Sequence, residues 1–192
     1  MLIADTLVVF DLEFTTWEGF MASGWSLPGK RREVVQIGAV RLDAAAGFAE
    51  TGAFQALVRP RLHPRLSTYF IELTGIDQEM VDRDGRPFPE AMGDFVAFLE
   101  GSGTVQLVAN GLDGPILADN CGWHDLPVPP AVIRTLDVSN FFTRLLGRDR
   151  HVTTSQLSGL LGFPEQGRAH DGLADARTLG AALRHLRAQG RL

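Results

Sequence analysis

The chain is poor in features that would assign it quickly, and each scarcity excludes something. It has one cysteine, Cys121, so no internal disulfide can close. It has one lysine, Lys30, among 18 basic residues, so its cationic chemistry is guanidinium chemistry, which meets phosphate in a planar and often bidentate way. Positive charge is in deficit overall, with a net charge of −5, which argues against a protein that coats nucleic acid by broad phosphate neutralisation but leaves room for a local basic groove. No apolar run approaches the ~20 residues of a membrane span. The opening MLIADTLVVFD is broken by Asp5 and lacks a basic leader, so a cytoplasmic protein is expected, with no membrane association. Repeats and low-complexity linkers are missing too. With 192 residues and 45% hydrophobic content, a single domain over residues 1–192 is expected.

What is present reads as alternating elements. Leu7 to Phe10 is a compact apolar run ending at an acid, the pattern of a buried central strand. The stretch from Phe14 to Arg32 has no clear periodicity and is long enough for a functional loop or lid. Glu33 to Leu42 and Phe48 to Val58 read as two further strands joined by a small-residue turn, an antiparallel meander. Short helices are expected at Leu66 to Leu73 and Asp77 to Val81, and a longer one at Pro87 to Glu100, where Met92, Phe95, Val96 and Leu99 recur at helical spacing. Strands follow at Thr104 to Ala109 and Ile133 to Val138, and helices at Asp113 to Cys121, Ser139 to Leu146, Thr154 to Leu161 and Asp171 to Gln189. Three strands in sequence, then strands alternating with helices, predict an α/β fold: a mixed five-stranded sheet flanked by helices on both faces.

Five residues carry the chemistry. Asp11 and Glu13 in VVFDLEFT are two apart, so on an extended strand both side chains leave the same face. They are either a chelating pair or two solvated acids at a strand end. A nucleophilic aspartate in a D-x-D-x-T pattern is a third reading, but the second acid here is glutamate and the only lysine lies in the following loop. Asp113 in ANGLDG opens a helix, where a cap is the simple reading; a carboxylate at that point of a strand-to-helix connection also lies where α/β proteins build their sites. Asp175 adjoins the apolar stripe Leu173, Ala176, Leu179, Leu183, Leu186, so it points inward, where a carboxylate is costly unless paired or bound to metal. His170 is five residues earlier, about 140° round an ideal helix, so it belongs in the loop before the helix, with Asp171 as N-cap. Carboxylates converging from distant segments, with a histidine beside them, are what a two-metal phosphodiesterase needs.

The segments FDLEFT, the acid in NGLDG and the ending H-x-x-x-x-D resemble the three motifs of the DEDDh exonucleases, the RNase T and proofreading-exonuclease superfamily with an RNase H-like fold. The filler sequences EVVQIGAVRLD, FQALVRPRLHPRLSTYFIELTGIDQEMVD, PFPEAM and GRAHDGLADAR are similar to the branch that trims RNA 3′ ends, including histone messenger, small interfering and ribosomal RNAs. The likeness runs from about Leu7 to Leu186.

The resemblance implies a 3′-5′ exonuclease that hydrolyses single-stranded RNA or DNA ends to nucleoside 5′-monophosphates, RNA being favoured. Two divalent cations are implied, Mg2+ with Mn2+ able to substitute: Asp11 bridging them, Glu13 and Asp175 completing one site and Asp113 holding the other. His170 would be the general base. By the same resemblance the terminal base would slot between Phe14 and Leu73, with Glu72 and Thr74 near the terminal sugar. Arg168, Arg148, Arg150 and Arg31 are candidate phosphate contacts, and Trp17 and Trp25 either stack on upstream bases or fold their own loop down. Trp123 and Cys121 suggest packing only. A partner protein or a homodimer is open, since both monomers and dimers occur among such enzymes. Two departures stand out: no appended nucleic-acid-binding segment is read, and Asn110-Gly111 replaces the tryptophan or serine common before the second-motif acid. A DNA-directed proofreading enzyme and an inactive binding module on the same fold are the other readings.

Overall fold

A computed structural model describes residues 4–101 and 103–192, so residues 1–3 of the apolar opening lie outside the described part. Strands β1 (Thr6–Phe14), β2 (Val34–Asp43) and β3 (Ala49–Leu57) form the expected antiparallel meander. Helices α1 (Thr68–Thr74), α2 (Gln78–Asp84) and α3 (Phe88–Leu99) lead into β4 (Val105–Ala109), which pairs parallel to β1. Then come α4 (Asp113–Trp123), α5 (Pro130–Ile133), β5 (Leu136–Asp137), α6 (Ser139–Leu145), α7 (Thr154–Leu161) and α8 (Gly172–Ala188). The sheet order is β3-β2-β1-β4-β5, which puts β1 in the centre.

Alternation along β1 divides the core. Val8, Phe10 and Leu12 pack with Phe88, Ala91 and Phe95 of α3 and with Ile116, Leu117 and Cys121 of α4. Leu7 and Val9 face the other way, onto Leu157 of α7 and Ala176, Leu179, Leu183 and Leu186 of α8. Burial on both faces explains why β1 reads as an unbroken apolar run. Each buried Val, Leu, Ile or Phe among them contributes roughly 1.5–3 kcal/mol.

Two boundaries differ from the sequence expectation. β1 continues past the apolar run through Phe14, so Asp11 and Glu13 lie within the strand rather than at its end. The β2 ladder carries it on, pairing Asp11 with Gly38 and Glu13 with Gln36. The fifth strand is only Leu136–Asp137, and Ile133 closes a helical turn instead. Pro129 and Pro130 account for this, because proline lacks a ladder N–H and its fixed φ favours a first helical turn. Among the described residues, no helix is long and apolar enough to cross a membrane.

Candidate active site

The site forms where β1 outruns β4. The parallel ladder ends at Val9 and Val108, so one edge of β1 beyond Val9 has no strand beside it. The Leu12 N–H on that edge donates instead to Asp113 Oδ1 at 3.2 Å. Asp113 is the first residue of α4, with Leu112 at the cap position, so its carboxylate is turned to β1. Alternation then puts Asp11 and Glu13 on the face shared with Leu7 and Val9, the face covered by α8.

Asp175, in the first turn of α8, is buried on that face. Its Oδ2 accepts the His170 N–H at 2.9 Å, while Asp171 caps the helix by accepting from Ala174 N–H at 3.0 Å. His170 sits in the loop, as its spacing required, with φ 60°, a conformation residues with a Cβ seldom adopt. Ligand atoms of Glu13, His170 and Asp175 all lie within 4.8 Å of one another. Asp11 and Asp113 stand outside that group of three but next to it. Asp113 is the strongest charge acting on Asp11, and Asp175 the strongest acting on Glu13.

Residues to which the sequence assigns no site role hold this arrangement. Gln36 and Gly38 share the α8 face of β2, and Gln36 Oε1 accepts the Gly172 N–H at 2.7 Å. A Cβ on Gly38 would overlap the backbone of Gly172 and Leu173. A glycine and a glutamine inside the buried strand VVQIGAV were the available signal, since strand-interior glycine marks a close backbone approach. Asn110 ties the end of β4 to the start of α7, donating to the Val152 carbonyl at 3.0 Å and to Thr154 Oγ1 at 3.2 Å.

The remaining candidates are spread around this centre. Phe14 is half-buried with its ring 5.5 Å from that of Trp25, and Leu73 is half-buried on α1 beside exposed Glu72. Thr74 is buried; its hydroxyl donates to the Phe70 carbonyl at 2.9 Å and accepts the Ile76 N–H at 3.0 Å, closing the ELTGI turn. Arg168 reaches over Gly75 into a cleft of about 690 Å³ that also meets Gln36, Thr74 and Asp171. Arg148 and Arg150 line a second cleft of about 670 Å³ beside α7. A small cleft of about 70 Å³ shares Ser155, Ser158 and Glu165 with it and reaches Asp175. Trp17 and Trp25 pack edge-on against Phe20 at 5.4 Å each, so the 14–32 loop is folded on its own aromatic core.

The electrostatics are those of an uncompensated anion cluster. Burial, and then the neighbouring carboxylates, pushes Asp11 and Glu13 well above the usual range. Burial likewise raises Asp113 and Asp175 to about 6 each, against the opposing pull of their backbone hydrogen bonds. Among the described residues none of these acids is in an ion pair. His170 moves the other way: desolvation, then the positive charge of Arg168, lowers its pKa and keeps the imidazole neutral at pH 7. Buried carboxylates without cations are costly, and hard divalent ions are the chemistry this oxygen donor set fits.

A pH dependence follows for the metal-free protein. A carboxylate whose folded pKa is raised binds more protons folded than unfolded between about 4 and its raised value, so stability grows as pH falls through that window. Lowered His63, His124 and His170 oppose this, because they resist charging in the fold. The carboxylates' larger shifts dominate. Melting in chelator should therefore move up by several degrees between pH 7.5 and 5.5, and a divalent cation should erase the gain by holding the acids ionised. A melting temperature that falls steadily over that range would contradict the reading.

A five-stranded mixed sheet in this order, with carboxylates gathered at its centre strand and the first turns of two flanking helices, defines an RNase H-like α/β protein. The family model described as Exonuclease (RNase T) matches residues 8–183, and the chain belongs to that family. It is 28% identical over 192 residues to ERI1 exoribonuclease 2 of Danio rerio, covering 89% of this chain and 33% of that protein. It is 28% identical over 186 residues to 3'-5' exoribonuclease 1 of Homo sapiens, covering 91% and 50%. The chain thus spans a third to a half of these relatives. Among solved structures, the nuclease domain of 3'hExo, a DEDDh family member, bound to rAMP, superposes with TM-score 0.83 at 24% identity, covering 100% of this chain and 96% of that one.

Proposed function

We propose that the protein is a metal-dependent 3′-5′ exonuclease that removes nucleoside 5′-monophosphates from single-stranded 3′ ends, RNA in preference to DNA. The observation that carries this is the convergence of Glu13, His170 and Asp175 within 4.8 Å, beside half-buried Asp11 and buried Asp113, in a chain of the exonuclease family. The names of the relatives, both exoribonucleases, support RNA. Asp11, Glu13, Asp113 and Asp175 would hold two divalent cations, magnesium with manganese able to substitute. Bound there, such ions supply charge stabilisation at the phosphodiester and a lowered pKa for the attacking water.

The chain's own groups do the rest. His170, neutral and exposed on its loop, accepts the proton of the attacking water at a ring nitrogen. The bond from its N–H to Asp175 fixes that loop to α8, so base and carboxylate move as one unit. The Leu12 N–H holds Asp113 against β1 in the same manner. Phe14 and Leu73 would flank the terminal base, Glu72 and Thr74 the terminal sugar, and Arg168 a phosphate. Incubation with 5′-labelled single-stranded RNA and DNA of equal sequence tests this. A one-nucleotide ladder that vanishes with chelator and is stronger on RNA is expected. Internal cuts or metal-independent activity would sink the mechanism, and stronger hydrolysis of DNA would favour the proofreading alternative.

A further inference from the structure

Resting on that reading, we infer that Lys30, Arg31, Arg61 and Arg65 form a preorganised cationic platform that binds the sugar-phosphate backbone upstream of the 3′ terminus. All four are exposed, and among the described residues none is in an ion pair. In a chain of net charge −5, a local group of this kind is a departure from the whole.

The organiser of the platform is Glu33, 2% exposed and outside the catalytic cluster. Its Oε1 accepts the N–H groups of Arg61 at 2.9 Å and Leu62 at 2.8 Å, and its Oε2 accepts that of His63 at 2.6 Å. With three consecutive amides turned onto one buried carboxylate, the Arg61 and Leu62 side chains of that turn are exposed, while His63 is half-buried with its ring 4.8 Å from that of Trp17. The same carboxylate uses its charge on backbone rather than on the arginines around it. Further bonds fasten the 30–33 segment to the 59–67 loop and to Thr15, the residue after β1. The Arg31 N–H reaches His63 Nε2 at 3.2 Å, the Thr15 hydroxyl donates to the Arg31 carbonyl at 2.6 Å, and Thr15 N–H donates to the Glu33 carbonyl at 2.8 Å. Fixing cations before the ligand arrives removes part of the ordering entropy that binding would otherwise cost.

Aromatic groups interleave with the charges: Lys30 Nζ lies 4.2 Å over the Trp17 ring, and the Arg31 guanidinium lies 5.6 Å from Trp123. Of the acids in these segments, Glu33 is turned inward and Asp119 is paired with Arg32 at 3.9 Å, while Asp125 and Arg61 both act on His124 and Asp125 is in no ion pair among the described residues. Cations with aromatics between them suit a polyanion whose units also stack, which favours nucleic acid over an acidic peptide. The position suits it as well, since Thr15 is two residues along from Glu13, about 7 Å of extended chain.

Binding in chelator isolates the platform from catalysis. Anisotropy of a 5′-fluorescein 20-nucleotide oligouridylate is measured against salt for three variants. For Lys30→Gln/Arg61→Gln/Arg65→Gln, affinity should fall at least about tenfold and the log–log salt slope by about 2, at roughly 0.7 per phosphate contact. Arg61 also donates to the Trp123 carbonyl, so Lys30→Gln/Arg65→Gln, which touches no side-chain hydrogen bond, is the second variant; its slope should drop by about 1.4. Arg184→Gln/Arg187→Gln/Arg191→Gln removes equal charge near the far end of α8 and should leave the slope unchanged. Equal losses in the patch and distant variants would overturn the inference, as would polyglutamate competing as well as RNA. Failure of the exonuclease assay leaves this result standing, because no hydrolysis is measured.

Discussion

Asp11→Asn is expected to abolish hydrolysis and, in chelator, to raise the melting temperature. The first half rests on charge: the amide keeps the shape but cannot neutralise a divalent cation, so the several kcal/mol such ions supply are lost, a fall of about 10³-fold or more. The second half rests on the apo cluster. Burial, then Asp113, Glu13, Asp175 and Asp171, all raise the Asp11 pKa, so the fold of the metal-free protein disfavours its charged form. A neutral amide removes that penalty. The gain should be several degrees at pH 7.5 and should shrink toward pH 5.5, where protonation relieves wild type too. Magnesium should stabilise wild type far more than the variant. A lower melting temperature for Asp11→Asn in chelator would show that the cluster is not strained by its own charge.

Gly38→Ala is expected to damage both stability and activity from a position that bears no functional group. Its Cβ would overlap the Gly172 and Leu173 backbone, and backbone cannot swing aside as a long side chain can. Overpacking of this kind costs about 1–3 kcal/mol or more, which at roughly 2–4 °C per kcal/mol for a chain of this size is an easily measured shift. The damage extends to catalysis because the displaced segment is the first turn of α8, which carries Asp175 and holds His170. A 1 Å misplacement there is worth about 10²-fold. Gly180→Ala on the same helix is the control. Its Cβ would meet Leu42 Cδ1 at 3.4 Å and Val40 Cγ2 at 3.5 Å, ordinary contacts, and alanine is the better helix former by up to about 1 kcal/mol. Equal tolerance of the two substitutions would remove the close-approach argument.

The contrast between those glycines shows where sequence reading stops. Gly38 sits inside a strand and Gly180 inside a helix, and a strand-interior glycine hints at a close approach, but which backbone comes close is set only by the packing of the start of α8 on β2. Glu33 is a similar case, because its role depends on amides some thirty residues away. Asp113 was ambiguous in the sequence, cap or ligand, because the partner that turns it toward the site, the Leu12 N–H, is 101 residues distant. The strand boundary at Phe10 was misplaced for a related reason. An acid normally ends an apolar run, but the β2 ladder supplies the hydrogen bonds that continue β1 past Asp11.

The sequence by itself determined the local terms: the periodicities that make the meander and the helices, the period-two spacing that sends Asp11 and Glu13 to one face, and the Asp171 cap that leaves His170 in the loop. These are set by bonded geometry and near-neighbour chemistry, which a chain carries in its order. The tertiary structure alone decided what depends on distance through space. It stopped β4 short of β1 to open the site, brought α8 onto Gly38, and stapled the 61–63 turn to the buried carboxylate of Glu33. Burial and Coulomb energy depend on which segments meet, and that is settled only when the chain has folded.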